Sequence, residues 1–244
     1  MQGNGIGERV HDQMARVRAD LAELVSIRST AIGPGGAGKI DECGEAAEWV
    51  LSAFAATGVK GLRLIPTPGG CPAVYGHTPG PRGVPTVLLY GYYDVPPVTD
   101  EQAWQSPPFQ LSERDGRWYG HGAADSKGNV LMHLTVLRAL GGKASGSLKL
   151  MVDGSGQGRA GGLIATVASE PDLLRADAIL VCGAGNGAAA EVFAHAYPGA
   201  EIILGGLHDP SAYAGNESVD PREIERMALS EALFLQRYAM TDAP

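Results

Sequence analysis

Apolar residues recur every three to four positions over 9–27. Val10, Met14, Val17, Leu21, Leu24 and Val25 fall on one face, which predicts a helix. Ala47, Val50, Leu51 and Phe54 repeat the pattern and predict a second helix over 40–57, after a glycine-rich loop at 29–39. Short strands are expected at 62–65 and 73–76. The continuous apolar run at 86–90 reads as a strand buried on both faces of a sheet. Further strands are expected at 147–152, 178–182 and 201–204. Helices are expected at 129–140, 162–169 and 220–238, the last with Pro221 in its first turn. A polar, proline-rich loop covers 96–114, and residues 116–119 lead out of it. Strands alternating with helices predict a single three-layer α/β domain over 1–244, with a mostly parallel sheet. No internal repeat or low-complexity segment interrupts it.

Composition narrows the function classes. At 244 residues the chain can bury a sizeable core, and 44% hydrophobic with 19% charged residues is ordinary for a globular protein. A net charge of −8 without a basic stripe argues against a nucleic-acid partner. No apolar run reaches the roughly 20 residues of a membrane span, and the polar N-terminus has no signal-peptide core, so no membrane partner is expected. Cys43, Cys71 and Cys182 are odd in number and lack C-x-x-C spacing. They are expected to be free, mostly buried thiols of a cytoplasmic protein. Arginine outnumbers lysine, which suits a GC-rich bacterial genome.

Two passages carry candidate chemistry. Residues 87–95 read VLLYGYYDV and end on Asp94; residues 120–129 read GHGAADSKGN and hold Asp125 and Lys127. Together with the LAELVSIRST end of the first helix, the stretch GYYDVPPVTDEQAWQSPPFQLSERDGRWYGHGAADSKGN, and GNESVD near the end, they resemble the di-zinc aminoacylase, carnosine dipeptidase and succinyl-diaminopimelate desuccinylase family of metallopeptidases. The resemblance implies the family's catalytic-domain fold. It also implies a set of site positions, in which one carboxylate bridges two zincs, each zinc takes a His and a terminal carboxylate, and a Glu acts as general base.

At those positions this chain departs from the family. The bridging carboxylate matches Asp125. The first His matches Tyr92, the catalytic Glu matches Gly156, and the adjacent ligand matches Gln157. The Asp after the strand ADAILVC matches Gly183, and the last His matches Tyr213. A phenol with a pKa near 10 is a poor zinc ligand, and a single carboxylate cannot hold the ion. No metal or other cofactor is therefore expected. The family's inserted lid or dimerisation domain is expected to be deleted near 183–200, which leaves the oligomeric state open.

Three readings follow. The first is a metal-independent, repurposed enzyme acting on an amino-acid- or peptide-like small molecule. Asp125 or His208 would be its acid or base, Lys127 would steady an anion, and Asp94 would complete the catalytic set. Tyr92, His121, Gln157 and Tyr213 would contact substrate. The alternatives are a catalytically dead binding or interaction module, and a zinc-dependent amide hydrolase with a rebuilt site. Against the last, the histidines lack metal-binding spacing, and His133 reads as structural, on a helix face with Met132 and Val136. The G-x-G-x-x-G run at 156–161 has no acid at the end of the next strand, so it reads as a loop and not as a nucleotide site. Tyr90 and Tyr93 read as core.

Overall fold

A computed structural model describes residues 5–31, 39–68, 71–142, 146–158, 160–183, 186–207, 209 and 215–238. Its centre is a six-stranded sheet in the order β1-β2-β6-β3-β7-β8. The strands are β1 (Arg63–Ile65), β2 (Ala73–Thr78), β3 (Thr86–Tyr92), β6 (Ser147–Asp153), β7 (Ala178–Cys182) and β8 (Glu201–Gly205). β6, β3, β7 and β8 run parallel, while β2 pairs antiparallel with both β1 and β6. A small antiparallel sheet of β4 (Ser112–Arg114), β5 (Arg117–Tyr119) and β9 (Ser218–Val219) stands apart.

Alternation along β3 and β7 divides the core into two layers. Val87 and Leu89 of β3, with Ala178, Leu180 and Cys182 of β7, enter one cluster. It is covered by α1 (Ile6–His11), α2 (Met14–Ser26), α3 (Ile40–Ala55), α4 (Lys127–Ala139) and α7 (Pro221–Tyr238). Leu88, Tyr90 and Tyr92, with Ile179 and Val181, enter the other, under α5 (Gly161–Ser169) and α6 (Asn186–Ala196). This is the expected three-layer architecture, and Tyr90 and Tyr93 are core as read. α4 packs on the sheet, α1, α2 and α7, and is buried almost all round.

Three expectations need correction. The first helix is two, α1 and α2, separated at Asp12 and Gln13; the apolar spacing runs through the break because both pieces lie on one core. The segment after β7, for which no helix was expected, forms α6, which carries the chain into the adjacent parallel strand β8. The cysteines are not all free: Cys43 and Cys71 form a disulfide, with Cα atoms 5.1 Å apart. They stand 28 residues apart, and α3 packing over β1 and β2 brings them together, which no spacing rule reveals. Only Cys182 remains a thiol, and the argument for a reducing compartment loses its basis.

Candidate functional site

The site lies at the carboxyl ends of β3, β6 and β7, where open α/β sheets place ligands. Tyr92 ends β3, Gly183 follows β7, and Gly156 and Gln157 follow β6. Asp125 sits in the turn before α4. One Asp125 carboxylate oxygen accepts from the Tyr92 hydroxyl and the other from Gln157 Nε2 at 3.3 Å. Tyr92 and Asp125 are 4% and 1% exposed, so the pair is sealed from water.

The two glycines make room for the ring. A Cβ at Gly183 would lie 2.5 Å from Tyr92 Cε1, and one at Gly156 would overlap the ring at Cγ. Gly183 also has φ 153°, a conformation side chains rarely adopt. The tyrosine at the first ligand position, the glycine at the base position and the glycine at a later ligand position thus form one packed unit. Tyr92 lies between Gly156 and Gly183, and its hydroxyl caps the remaining carboxylate.

Asp94 is fully buried and accepts from the backbone N–H groups of Gly156 at 2.8 Å and Gln157 at 3.0 Å. Burial pushes its pKa up to about 8, and the nearby Asp153 carboxylate adds to this against the pull of those backbone bonds. Tyr92, Asp94, Asp125 and Gln157 are therefore brought together as expected.

Lys127 is not part of that group. Its Nζ donates to the carbonyls of Leu24 at 2.9 Å and Ile27 at 2.6 Å, tying down the end of α2. Burial lowers its pKa to about 7, with Glu217 and Asp94 opposing. Steadying an anion does not suit a fully buried amine held this way. His121, expected to contact substrate, is buried as well. It is 4% exposed, with Nδ1 3.2 Å from Glu217 Oε2 and Nε2 2.7 Å from the Pro96 carbonyl, and its ring meets Trp104 and Phe109 edge-on. His208 and Tyr213 lie outside the described residues.

Sequence reasoning gave Glu217 no role, although it lies in the GNESVD segment. This fully buried carboxylate accepts backbone N–H bonds from Gly122 (2.8 Å), Ala124 (3.0 Å) and Asp125 (2.9 Å). It fixes the loop that carries Asp125. A buried acid bonded to three amides is a strong local organiser, but its partners lie more than 90 residues away.

Among the described residues of the G-x-G-x-x-G segment, the start of α5 is already served by a carboxylate of the chain. Asp153 accepts from Ser155 N–H (3.0 Å), Ser155 Oγ (2.9 Å) and Leu163 N–H (3.1 Å), so the chain's own carboxylate serves the start of α5.

A separate cleft lies along the proline-rich loop, and none of Tyr92, Asp94, Asp125 or Gln157 is among its walls. About 550 Å³ is lined by Arg28, Trp104, Pro107, Pro108 and Phe109, among others, and a neighbouring hollow of about 310 Å³ by Pro96, Trp104 and His121. The Arg28 guanidinium stands 4.8 Å from the Phe109 ring centre.

A family model for peptidase family M20/M25/M40 matches residues 88–192, which hold β3, the Asp125 turn and β7. The chain belongs to that family. It is 39% identical over 175 residues to the cysteinylglycine-S-conjugate dipeptidase of Corynebacterium striatum, covering 70% of this chain and 37% of that protein. It is 37% identical over 93 residues to the Beta-Ala-His dipeptidase of Rattus norvegicus, covering 37% and 18%. The chain thus spans well under half the length of these relatives. Human carnosine dipeptidase 1 superposes with a TM-score of 0.62 at 22% identity, over 73% of this chain and 40% of that one. Legionella pneumophila LapA aminopeptidase superposes over 98% of this chain and 72% of its own, with a TM-score of 0.59 at 10% identity. These structural likenesses establish the α/β fold of the catalytic domain.

The family's two zincs do not fit the residues here. At positions the resemblance assigns to donors stand a phenol, an amide and a glycine, the ring fills the space between Gly156 and Gly183, and both Asp125 oxygens already accept hydrogen bonds.

Proposed function

We propose that this chain binds a dipeptide-like ligand on the M20 scaffold and does not cleave it by two-zinc hydrolysis. The observation that carries this reading is the Tyr92 ring packed between Gly156 and Gly183 with its hydroxyl on Asp125. A water-activating metal centre needs at least three protein ligands and an open position. This arrangement supplies one carboxylate, both of whose oxygens already accept hydrogen bonds, in a dry and filled space.

The ligand would lie in the cleft lined by Arg28, Trp104 and Phe109. Arg28 there suits a carboxylate terminus, and Trp104 and Phe109 offer flat apolar surface for a side chain. The dipeptidase relatives point to the ligand class. With α6 leading straight into β8, we further propose that no lid domain is inserted between those strands, so the cleft stays open.

The test pairs binding with turnover. Cysteinylglycine S-conjugates and β-alanyl-histidine are added to the purified chain, with and without zinc or a chelator. A rise in melting temperature without cleavage, lost in Arg28→Ala, is the expected result. Zinc-supported, chelator-sensitive cleavage overturns the reading, and so does the absence of any thermal shift with either ligand.

One observation favours a metal-independent enzyme as a second reading. Asp94, raised to about 8, holds its proton near neutrality beside the Asp125 network. Cleavage that persists in chelator and disappears in Asp94→Asn and Asp125→Asn would establish it.

A further inference from the structure

On the opposite face of β7 from Tyr92, three side chains from separate elements converge. They are Cys182 at the end of β7, His133 on α4 and Glu231 on α7. One donor atom from each lies within 4.8 Å of the others, and all three residues are buried. Glu231 receives His133 Nδ1 at 2.9 Å on both of its oxygens. His133 Nε2 is fully buried and has no hydrogen-bond partner among the described residues. Both Glu231 oxygens meet the ring at Nδ1, so an ion shared with Glu231 would take that edge in place of the hydrogen bond.

We propose that Cys182, His133 and Glu231 bind one thiophilic divalent ion, with zinc as the natural occupant. Thiolate, imidazole and carboxylate are the three donor types zinc accepts, and three protein ligands with an open fourth position is a common zinc arrangement. Charge supports burial of the ion: a thiolate and a carboxylate offset the two positive charges, and the imidazole is neutral. Metal entry would displace any protons on the ligand atoms to solvent. Burial acts to depress the His133 pKa, but the Glu231 carboxylate and Cys182 more than reverse this and hold it well above its ordinary value. A proton therefore sits where the metal would compete.

Access and a place for the fourth ligand come from a cavity of about 250 Å³, whose walls include Met132, Cys182, Met227, Glu231 and Phe234. The methionine thioethers add soft character to it. Neither the cavity nor the three ligands belong to the packed Tyr92 centre, and the proposal goes beyond the binding reading above.

The test is a cobalt titration of the purified full chain, followed by absorption. Cys43 and Cys71 are bonded to each other, so Cys182 is the one thiol that can give a sulfur-to-cobalt charge-transfer band. We expect the band to saturate at one cobalt per chain and to be bleached by zinc. It should vanish in Cys182→Ser, and in Glu231→Gln affinity should fall by about 10- to 100-fold. No band at saturating cobalt, or a band that survives Cys182→Ser, overturns the proposal. Should Cys182→Ser not fold, zinc must slow iodoacetamide alkylation of Cys182 in the unaltered protein; an unchanged rate overturns it equally. Bound zinc that is lost in Cys182→Ser while dipeptide binding persists separates this site from the one in the cleft.

Discussion

The packing of Tyr92 against Gly183 can be tested by a double-mutant cycle. Gly183→Ala introduces a Cβ 2.5 Å from Tyr92 Cε1 and 2.8 Å from its hydroxyl oxygen, well inside van der Waals contact. Overpacking of this kind costs about 1–3 kcal/mol. A further ~1–3 kcal/mol comes from holding a side-chain residue at φ 153°. Tyr92→Leu removes the outer ring atoms and the hydroxyl, the atoms nearest Gly183, while leaving bulk beside Gly156. In that background only the backbone cost should remain. The stability loss caused by Gly183→Ala should therefore be smaller by about 1–3 kcal/mol when residue 92 is leucine. Urea denaturation of the four proteins, followed by far-ultraviolet circular dichroism, gives each free energy. If Gly183→Ala costs the same in both backgrounds to within about 0.5 kcal/mol, the two residues are not coupled. The account of a tyrosine accommodated by glycines would then be wrong.

Other predictions use the same network. Tyr92→Phe leaves one Asp125 oxygen without its donor and should destabilise the fold by about 1–3 kcal/mol, read from its urea midpoint. Glu217→Ala removes the acceptor of three backbone amides and should cost about 3–5 kcal/mol, with faster hydrogen exchange concentrated at residues 121–126. Asp94 binds its proton more tightly folded than unfolded, about 8 against 3.8, so its contribution falls as pH rises through that window. Asp94→Asn should flatten the stability-pH curve between those values, and an unchanged curve would show that Asp94 is not protonated. Lys127 works in the opposite sense: its pKa drops from 10.5 to about 7 on folding, so stability recovers as pH rises from about 7 towards 10.5. Lys127→Met should remove that recovery in alkaline melts.

The sequence alone determined the layers of this protein, because strand and helix periodicity are local and repeat over many residues. Leu21, Val50, Phe54 and Leu89 face the core where their spacing placed them. The motifs also determined the family, since the passages ending on Asp94 and holding Asp125 survive as contiguous strings. Only the tertiary structure decided what the altered positions do. That Tyr92 fills the space between Gly156 and Gly183 depends on the ends of three strands meeting, and no spacing in the chain contains that distance. The same holds for the Cys43–Cys71 bond and for Glu217, whose amide partners are far away in sequence. Lys127 and His121 both flank Asp125, yet burial turns Lys127 towards the end of α2, while His121 meets Glu217 and Pro96 and lines only the neighbouring hollow. His133 read correctly as a core residue of a helix face. Its convergence with Cys182 and Glu231 arises only where α4 and α7 cross the end of β7, a meeting set by packing and not by any local pattern.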